Sequence, residues 1–162
     1  MVDQSLFRTA MSKLGAAVCV VTSDGPAGRC GTTVTAVSSV TDTPATLLVC
    51  INRNSWSNRV LRANGSLCVN LLASGQEDIA RRFAGMTGIA PEDRFDGIDL
   101  VTLETGSPAL DLALVSFDCT IVDGVEVGTH TVFMAEVQQI RMGTAEPGMV
   151  YFDRRYFAVG AA

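Results

Sequence analysis

The strongest constraint on this chain is an alternation that begins at Val115. Val115, Phe117, Cys119 and Ile121 are apolar, and Ser116, Asp118 and Thr120 between them are polar. Successive side chains of a strand point to opposite faces, so a period of two reads as a strand buried on one face. HTVFMAEVQQIRM (130–142) and MVYFDRRYFAV (149–159) continue the pattern, and in VGTH (127–130) His130 starts a strand after a glycine turn. A chain that ends this way builds its C-terminal half from β structure.

The N-terminal half is mixed. Phe7, Ala10, Met11 and Leu14 share one helical face, which predicts a helix over 4–14 stopped by Gly15. AVCVVTS (17–23) reads as a strand, 24–31 as a turn, the β-branched 32–40 as extended and TDTP (41–44) as a turn. TLLVCIN (46–52) reads as a strand buried on both faces. SWSNRVLRANG (55–65) predicts a helix with Ser55 as N-cap and Gly65 just past its end. SLCVNLL (66–72) is a further strand. Ser74 and Glu77 match a capping box, opening a helix that runs to about Phe83. Residues 84–99 read as a loop. Six or seven strands with two or three short helices, not alternating regularly, predict a mainly β, barrel-like fold rather than a doubly wound sheet. No repeat or linker divides the chain, so residues 1–162 are expected to form one domain.

A net charge of −5 without a Lys/Arg block argues against nucleic acid as a partner. No apolar run approaches the roughly 20 residues needed to cross a bilayer, so no membrane role is expected. The segment MVDQSLFRTAMSK has an early acid and no apolar centre, unlike an export signal. Cys19, Cys30, Cys50, Cys68 and Cys119 are odd in number and widely spaced, and there is a single histidine. These are not zinc spacings, so no metal is expected, and unpaired thiols point to a reducing, cytoplasmic setting. An apolar fraction of 48% leans towards an oligomer.

No GxGxxG follows a strand, no Walker motif is present, and no catalytic triad is legible. Three segments carry possible chemistry. TTVTAVSSVTDTP (32–44) sets the hydroxyls of Thr32, Thr33, Thr35, Ser38 and Ser39 among small residues, either to meet a polar ligand or simply because Thr favours strands. INRNSWSN (51–58) ends a strand and starts a helix, and a helix N-terminus is a natural phosphate site. There Arg53, Ser55 and Ser57 can contact an anion, with Trp56 against an aromatic ring; the alternative is a plain cap with a packed Trp. The pairs Arg81–Arg82 and Arg154–Arg155 are phosphate partners or surface ion pairs. His130 faces either a ligand or water.

Taken together, FRTAMSKLGAAV (7–18), TSDGPAGRCG (22–31), AVSSVTDTPATLLVCINRNS (36–55), LCVNLL (67–72), RRFAGMTG (81–88), VGTH (127–130) and MVYFDRRY (149–156) resemble the flavin reductase-like family, the small reductase components of two-component flavin-dependent monooxygenases. FAGMTG is similar to the 4-hydroxyphenylacetate 3-monooxygenase type; DGPAGR, LVSFDC and YFDRRY are similar to the pyrimidine-degradation (Rut) type. The resemblance implies a split β-barrel with short flanking helices, a homodimer, and flavin near the dimer interface. It implies that Thr35, Ala36, Val37, Ser38, Ser39, Asn52, Ser55, Trp56 and Ser57 line the flavin. Arg82 and Phe83 then approach it from a neighbouring helix, Arg154 and Tyr156 from the last strand, and His130 lies on the nicotinamide side. Many members of that family carry an acid where this chain has Thr129.

The function so implied is hydride transfer from NADH or NADPH to free FMN or FAD, from nicotinamide C4 to flavin N5, with the reduced flavin diffusing to an oxygenase. The protein would align two rings, with backbone N–H groups of 35–39 supporting charge on the flavin and His130 orienting the nicotinamide. An open groove is expected, with loop 84–99 as its lid. The alternatives are a flavin-binding electron-transfer module on the same barrel, a related oxidase of pyridoxine phosphate, and a plain structural dimer.

Overall fold

A computed structural model describes residues 1–144 and 146–160. The helices are α1 (Gln4–Met11), α2 (Trp56–Asn64) and α3 (Glu77–Phe83). The strands are β1 (Ala16–Ala17), β2 (Cys19–Ser23), β3 (Cys30–Val34), β4 (Val37–Asp42), β5 (Ala45–Asn52), β6 (Ser66–Leu71), β7 (Leu100–Thr102), β8 (Pro108–Leu110), β9 (Val115–Val127), β10 (His130–Met142), β11 (Gly148–Phe152) and β12 (Arg155–Val159).

The main sheet has seven strands in the order β3-β2-β6-β9-β10-β5-β4, and every pair in it is antiparallel. Its two edges, β3 and β4, are neighbours in sequence, separated only by Thr35 and Ala36. Seven strands laid flat put their edges roughly 29 Å apart, at about 4.8 Å per step. Three Cα–Cα steps reach at most about 11 Å. The sheet therefore rolls until its edges meet at that link, and no ladder joins them there. A split is left along β3 and β4. Two smaller sheets flank the roll, β1-β11-β12 and β7-β8.

The roll is filled by Val21, Val49, Ile51, Leu61, Leu67, Val69, Cys119 and Phe133, with Val60 and Leu61 supplied by α2. Each such side chain contributes about 1.5–3 kcal/mol by leaving water. Val18, Val20, Leu72, Ala80, Phe83, Phe95, Leu110 and Met149 form a second core on the other face of β2 and β6, under α3. Two cores explain why VCVV (18–21) is continuously apolar.

Five local expectations change. β5 alternates, burying Leu47, Val49 and Ile51 on one face, and is not buried on both. The polar face of β9 is sealed: Ser116 and Asp118 are fully buried beneath residues 105–110. Helix α3 starts at Glu77 with Gln76 as its cap position, because Ala73 bridges Gly148 and Ser74 donates its N–H to the Pro147 carbonyl, holding 73–75 out of the helix. Residues 149–159 form a hairpin, not one strand; Asp153 and Arg154 take left-handed φ of 48° and 62° at its two-residue turn. Helix α1 ends at Met11, and its apolar face is uncovered, with Leu6 and Phe7 exposed. Ser55 caps α2 through an Asn58 N–H bond of 3.1 Å, and Gly65 ends it in the left-handed region, as expected.

Candidate functional site

The split holds a cleft of about 290 Å³, lined by Thr32–Ala36, by Cys50, Ile51 and Asn52 at the end of β5, by Ser55 and by His130. Sheet register brings these together: His130, first in β10, is paired with Asn52, last in β5. The Thr35–Ala36 link is anchored by Cys50 N–H donating to Ala36 O at 3.0 Å. The N–H groups of Thr35 and Ala36 themselves have no main-chain acceptor among the described residues. Burial raises the pKa of the Cys50 thiol, so it stays protonated.

Beyond Asn52 the chain turns into α2. The Asn52 side chain accepts from Asn54 N–H at 2.9 Å, and its carbonyl accepts from the Ser55 hydroxyl at 2.7 Å. The Ser55 hydroxyl is thus occupied in capping. The N–H groups of Trp56 and Ser57, in the first helical turn, have no partner within the helix. They border a second cleft of about 230 Å³, lined by Cys30, Gly31, Thr32, Ser55–Ser57, Phe83, Ala84, Pro91 and Arg94. Gly31 keeps its floor flat: a Cβ there would lie 2.5 Å from the Phe83 ring.

Arg94 is the candidate site residue that sequence reasoning missed. Its Nε is buried without a hydrogen-bond partner, alone in this respect among the described side chains. Its guanidinium crosses Gly85, whose missing side chain leaves room for it, since a Cβ would come within 3.1 Å of Nη2; the φ of +75° there ends α3. An unpartnered buried donor costs about 1–3 kcal/mol, and the planar guanidinium matches phosphate and carboxylate. The only sequence signal is its neighbour Phe95, an aromatic in a polar loop that must bury and carries Arg94 inward.

Two more clefts continue the groove past Thr35. One, about 190 Å³, is lined by Val18, Thr33–Thr35, Ala84, Met86, Tyr151 and Tyr156. The other, about 340 Å³, lies between α1 and the β11–β12 turn, with Arg8 and Arg154 on its walls. Burial raises the pKa of the Tyr156 hydroxyl against the opposing charge of Arg81, so the phenol stays neutral.

Of the residues expected at the site, Thr35, Ala36, Asn52, Ser55 and His130 share the first cleft, Trp56, Ser57 and Phe83 the second, and Tyr156 and Arg154 the flanking two. Arg154 sits in the hairpin turn, not in the last strand. Val37 packs on the core, and Ser38 and Ser39 lie exposed along β4, outside these clefts. Arg82 turns to the Asp96 carbonyl at 2.9 Å and lines none of them. That bond, with Phe83 and Phe95 stacked edge-on at 4.9 Å, pins the 84–99 loop to α3. Thr129 hydrogen-bonds His130 Nδ1 at 2.9 Å. Among the described residues no cluster of His, Cys, Asp and Glu is placed to hold a metal. The arrangement suits a flat ring in the split, an anionic tail against Arg94 and α2, and a second ring beside His130.

The family model described as "Flavin reductase like domain" matches residues 11–160. The FMN reductase (NADH) RutF of Ancylobacter novellus is 49% identical over 158 residues, covering 98% of this chain and 86% of that one. The 4-hydroxyphenylacetate 3-monooxygenase reductase component of Pseudomonas aeruginosa is 50% identical over 153 residues, 94% of this chain and 90% of the relative. Among solved structures, the NADH:FAD oxidoreductase SgcE6 of Streptomyces globisporus superposes with a TM-score of 0.89 at 30% identity, covering 99% of this chain and 98% of that one. The same protein is known in complex with NAD and FAD fragments, with a TM-score of 0.87. The chain belongs to the flavin reductase like domain family.

Proposed function

We propose that this chain is an NADH-dependent flavin reductase that reduces free FMN or FAD and supplies the product to a separate monooxygenase. The observation that carries the reading is the groove itself. It joins an imidazole, a run of exposed N–H and hydroxyl donors, and a buried, unpartnered arginine Nε, all around one split. Small-ligand pockets span about 300–1,000 Å³. The first cleft alone falls short of that, but the continuous groove reaches it, so the residues present fit a flavin.

The chemistry supplied by a bound flavin is acceptance of a hydride from the nicotinamide. The protein's part is alignment. Thr35 and Ala36 would offer their N–H groups to a flavin ring held in the split. Arg94 and the first turn of α2 would hold the flavin's phosphate. His130, with Nδ1 engaged by Thr129, presents Nε2 and a ring face to the nicotinamide. No proton needs to be abstracted, and none of these groups is assigned as a base. The open, shallow groove suits a flavin that arrives and leaves as substrate.

The same reading takes the chain as one domain, supported by the family match at 11–160. It takes the protein as a homodimer, supported by the uncovered apolar residues of α1 and by exposed Val122, Val125, Ile140 and Met142. It places the protein in the cytoplasm, supported by five unpaired cysteines, four of them buried. Among the described residues no helix is long and apolar enough to cross a membrane.

The test is NADH oxidation by the purified protein, with and without added FMN or FAD. A rate that saturates in free flavin is the expected result. A rate indifferent to added flavin, from protein that retains bound flavin, would overturn the reading. His130→Ala is expected to raise KM for NADH about tenfold, roughly 1.4 kcal/mol, and to leave KM for flavin within about twofold.

A further inference from the structure

We propose that Arg53 is a positioning residue that sets His130 over the groove by pinning the turn that carries it. The inference rests on the reading of His130 as the nicotinamide-facing side chain.

His130 closes the two-residue turn between β9 and β10, pairing with Val127 across Gly128 and Thr129. The tip projects from the sheet. Val122, Val125 and Val127 are exposed, and the neighbouring strand β5 ends opposite His130 itself. Arg53 lies one residue past that end and grips both residues of the turn. Its backbone N–H donates to the Thr129 carbonyl at 3.0 Å, and Nη1 donates to the Gly128 carbonyl at 3.1 Å.

The grip is itself braced. Glu126 binds Arg53 Nη2 through Oε2 at 2.9 Å and Arg62 Nη2 through Oε1 at 2.8 Å. Arg62 is fixed on α2 by Asn58 Oδ1 at 3.2 Å and reaches Thr131 Oγ1 at 3.1 Å. A chain of contacts thus runs from α2 through Glu126 and Arg53 to the turn. It ties the element beside the second cleft to the side chain beside the first. The two ion pairs are half exposed, and such pairs add little to stability. Their consequence is geometric. Five N–H donors in a fixed plane let one arginine meet a carbonyl and a carboxylate together, which an ammonium does poorly.

The test compares Arg53→Ala, Arg53→Lys, Glu126→Gln, His130→Ala and the Arg53→Ala/His130→Ala double variant. NADH and flavin are varied separately. His130 is the only histidine, so its imidazole proton resonances report directly on its placement. Arg53→Ala is expected to shift and broaden those resonances and to raise KM for NADH about fivefold, with KM for flavin within about twofold. The double variant should be no worse than His130→Ala alone, since each removes the same alignment. Arg53→Lys and Glu126→Gln should fall between, and Glu126→Gln serves if Arg53→Ala does not fold. Unmoved imidazole resonances in Arg53→Ala would overturn the proposal whatever the kinetics. So would additive losses in the double variant, or equal rises in both KM values. If Arg53→Ala moves the resonances but His130→Ala leaves KM for NADH unchanged, the role given to His130 fails and the proposal falls with it, while the flavin-saturation assay still stands.

Discussion

Two regions of this molecule carry polar groups that need partners and do opposite things with them. On β6 and β9, Asn70, Ser116 and Asp118 are completely buried. The Asn70 amide donates to Val20 O at 3.1 Å and Thr22 Oγ1 at 3.2 Å and accepts from Leu110 N–H and the Ser116 hydroxyl. Asp118 accepts from Thr105 N–H at 2.7 Å. Across the roll, Thr35 and Ala36 leave their N–H groups without main-chain partners among the described residues, and Arg94 leaves a buried Nε unpaired there. What separates them is cover. A short β7–β8 hairpin lies over the first region and answers its polar atoms; the split is left as an open cleft lined by Thr32–Ala36. Polar strand residues thus serve the fold where an N–H-bearing loop seals them, and a ligand where the sheet edge is left open.

The contrast predicts a graded set of outcomes. Asn70→Ala strands several buried partners at once and should cost about 3 kcal/mol, read as a lowered urea midpoint, with KM values for NADH and flavin little changed. A small loss would mean that water replaces the amide and that the region is less sealed than described. Arg94→Ala should act the other way. It should leave stability level or slightly raised and raise KM for FMN about tenfold, close to 1.4 kcal/mol, without altering KM for riboflavin, which lacks the phosphate. An equal rise for both flavins would place Arg94 at the ring instead of the tail.

Thiol reactivity maps the same boundary. Burial raises the pKa of Cys30 to about 11 and those of Cys19 and Cys119 to about 12, and raises Cys68 also. The Cys50 thiol is raised too, but it is only half-buried and lines the open cleft, so in the native protein a thiol reagent should modify Cys50 alone and bound flavin should slow it; modification of all five without unfolding would contradict the sealed core. The sign of the pH effect follows. Thiols whose folded pKa is raised above the ordinary 9.0 lend stability that is whole below pH 9 and is lost as pH climbs towards about 12. The smallest effect should come from Ser38→Ala. This exposed β4 hydroxyl should change stability by no more than about 0.5 kcal/mol and KM for FMN not at all. A raised KM there would extend the groove along β4, where the family resemblance set it.

The sealed region and the open one were not equally legible in sequence. Alternation from Val115 shows which residues share a face, and the caps at Ser55 and Gly65 follow from local chemistry; both are properties of neighbours in the chain. What covers Ser116 and Asp118 is decided by residues 105–110, and periodicity is silent about cover. The Ser74 box failed for a similar reason, since the bridge from Ala73 to Gly148 outweighed a local cap. Thr35, Ser55 and His130 stood out by local pattern and Asn52 by the family resemblance, and all four line the first cleft. Arg94 was missed because it lies in a loop whose shape depends on Phe95 finding Phe83.

The link between β3 and β4 has a further consequence. A seam closed by a ladder fixes its own width, since one inserted residue slips every pair along it. This seam is closed by covalent connection, Thr35 and Ala36, and has no register to preserve. Lengthening or bulking that link widens or narrows the slot while the six ladders of the main sheet keep their pairing. For a lineage of such chains the dimensions of the binding slot are therefore a nearly independent variable, open to change at two positions without renegotiating the fold.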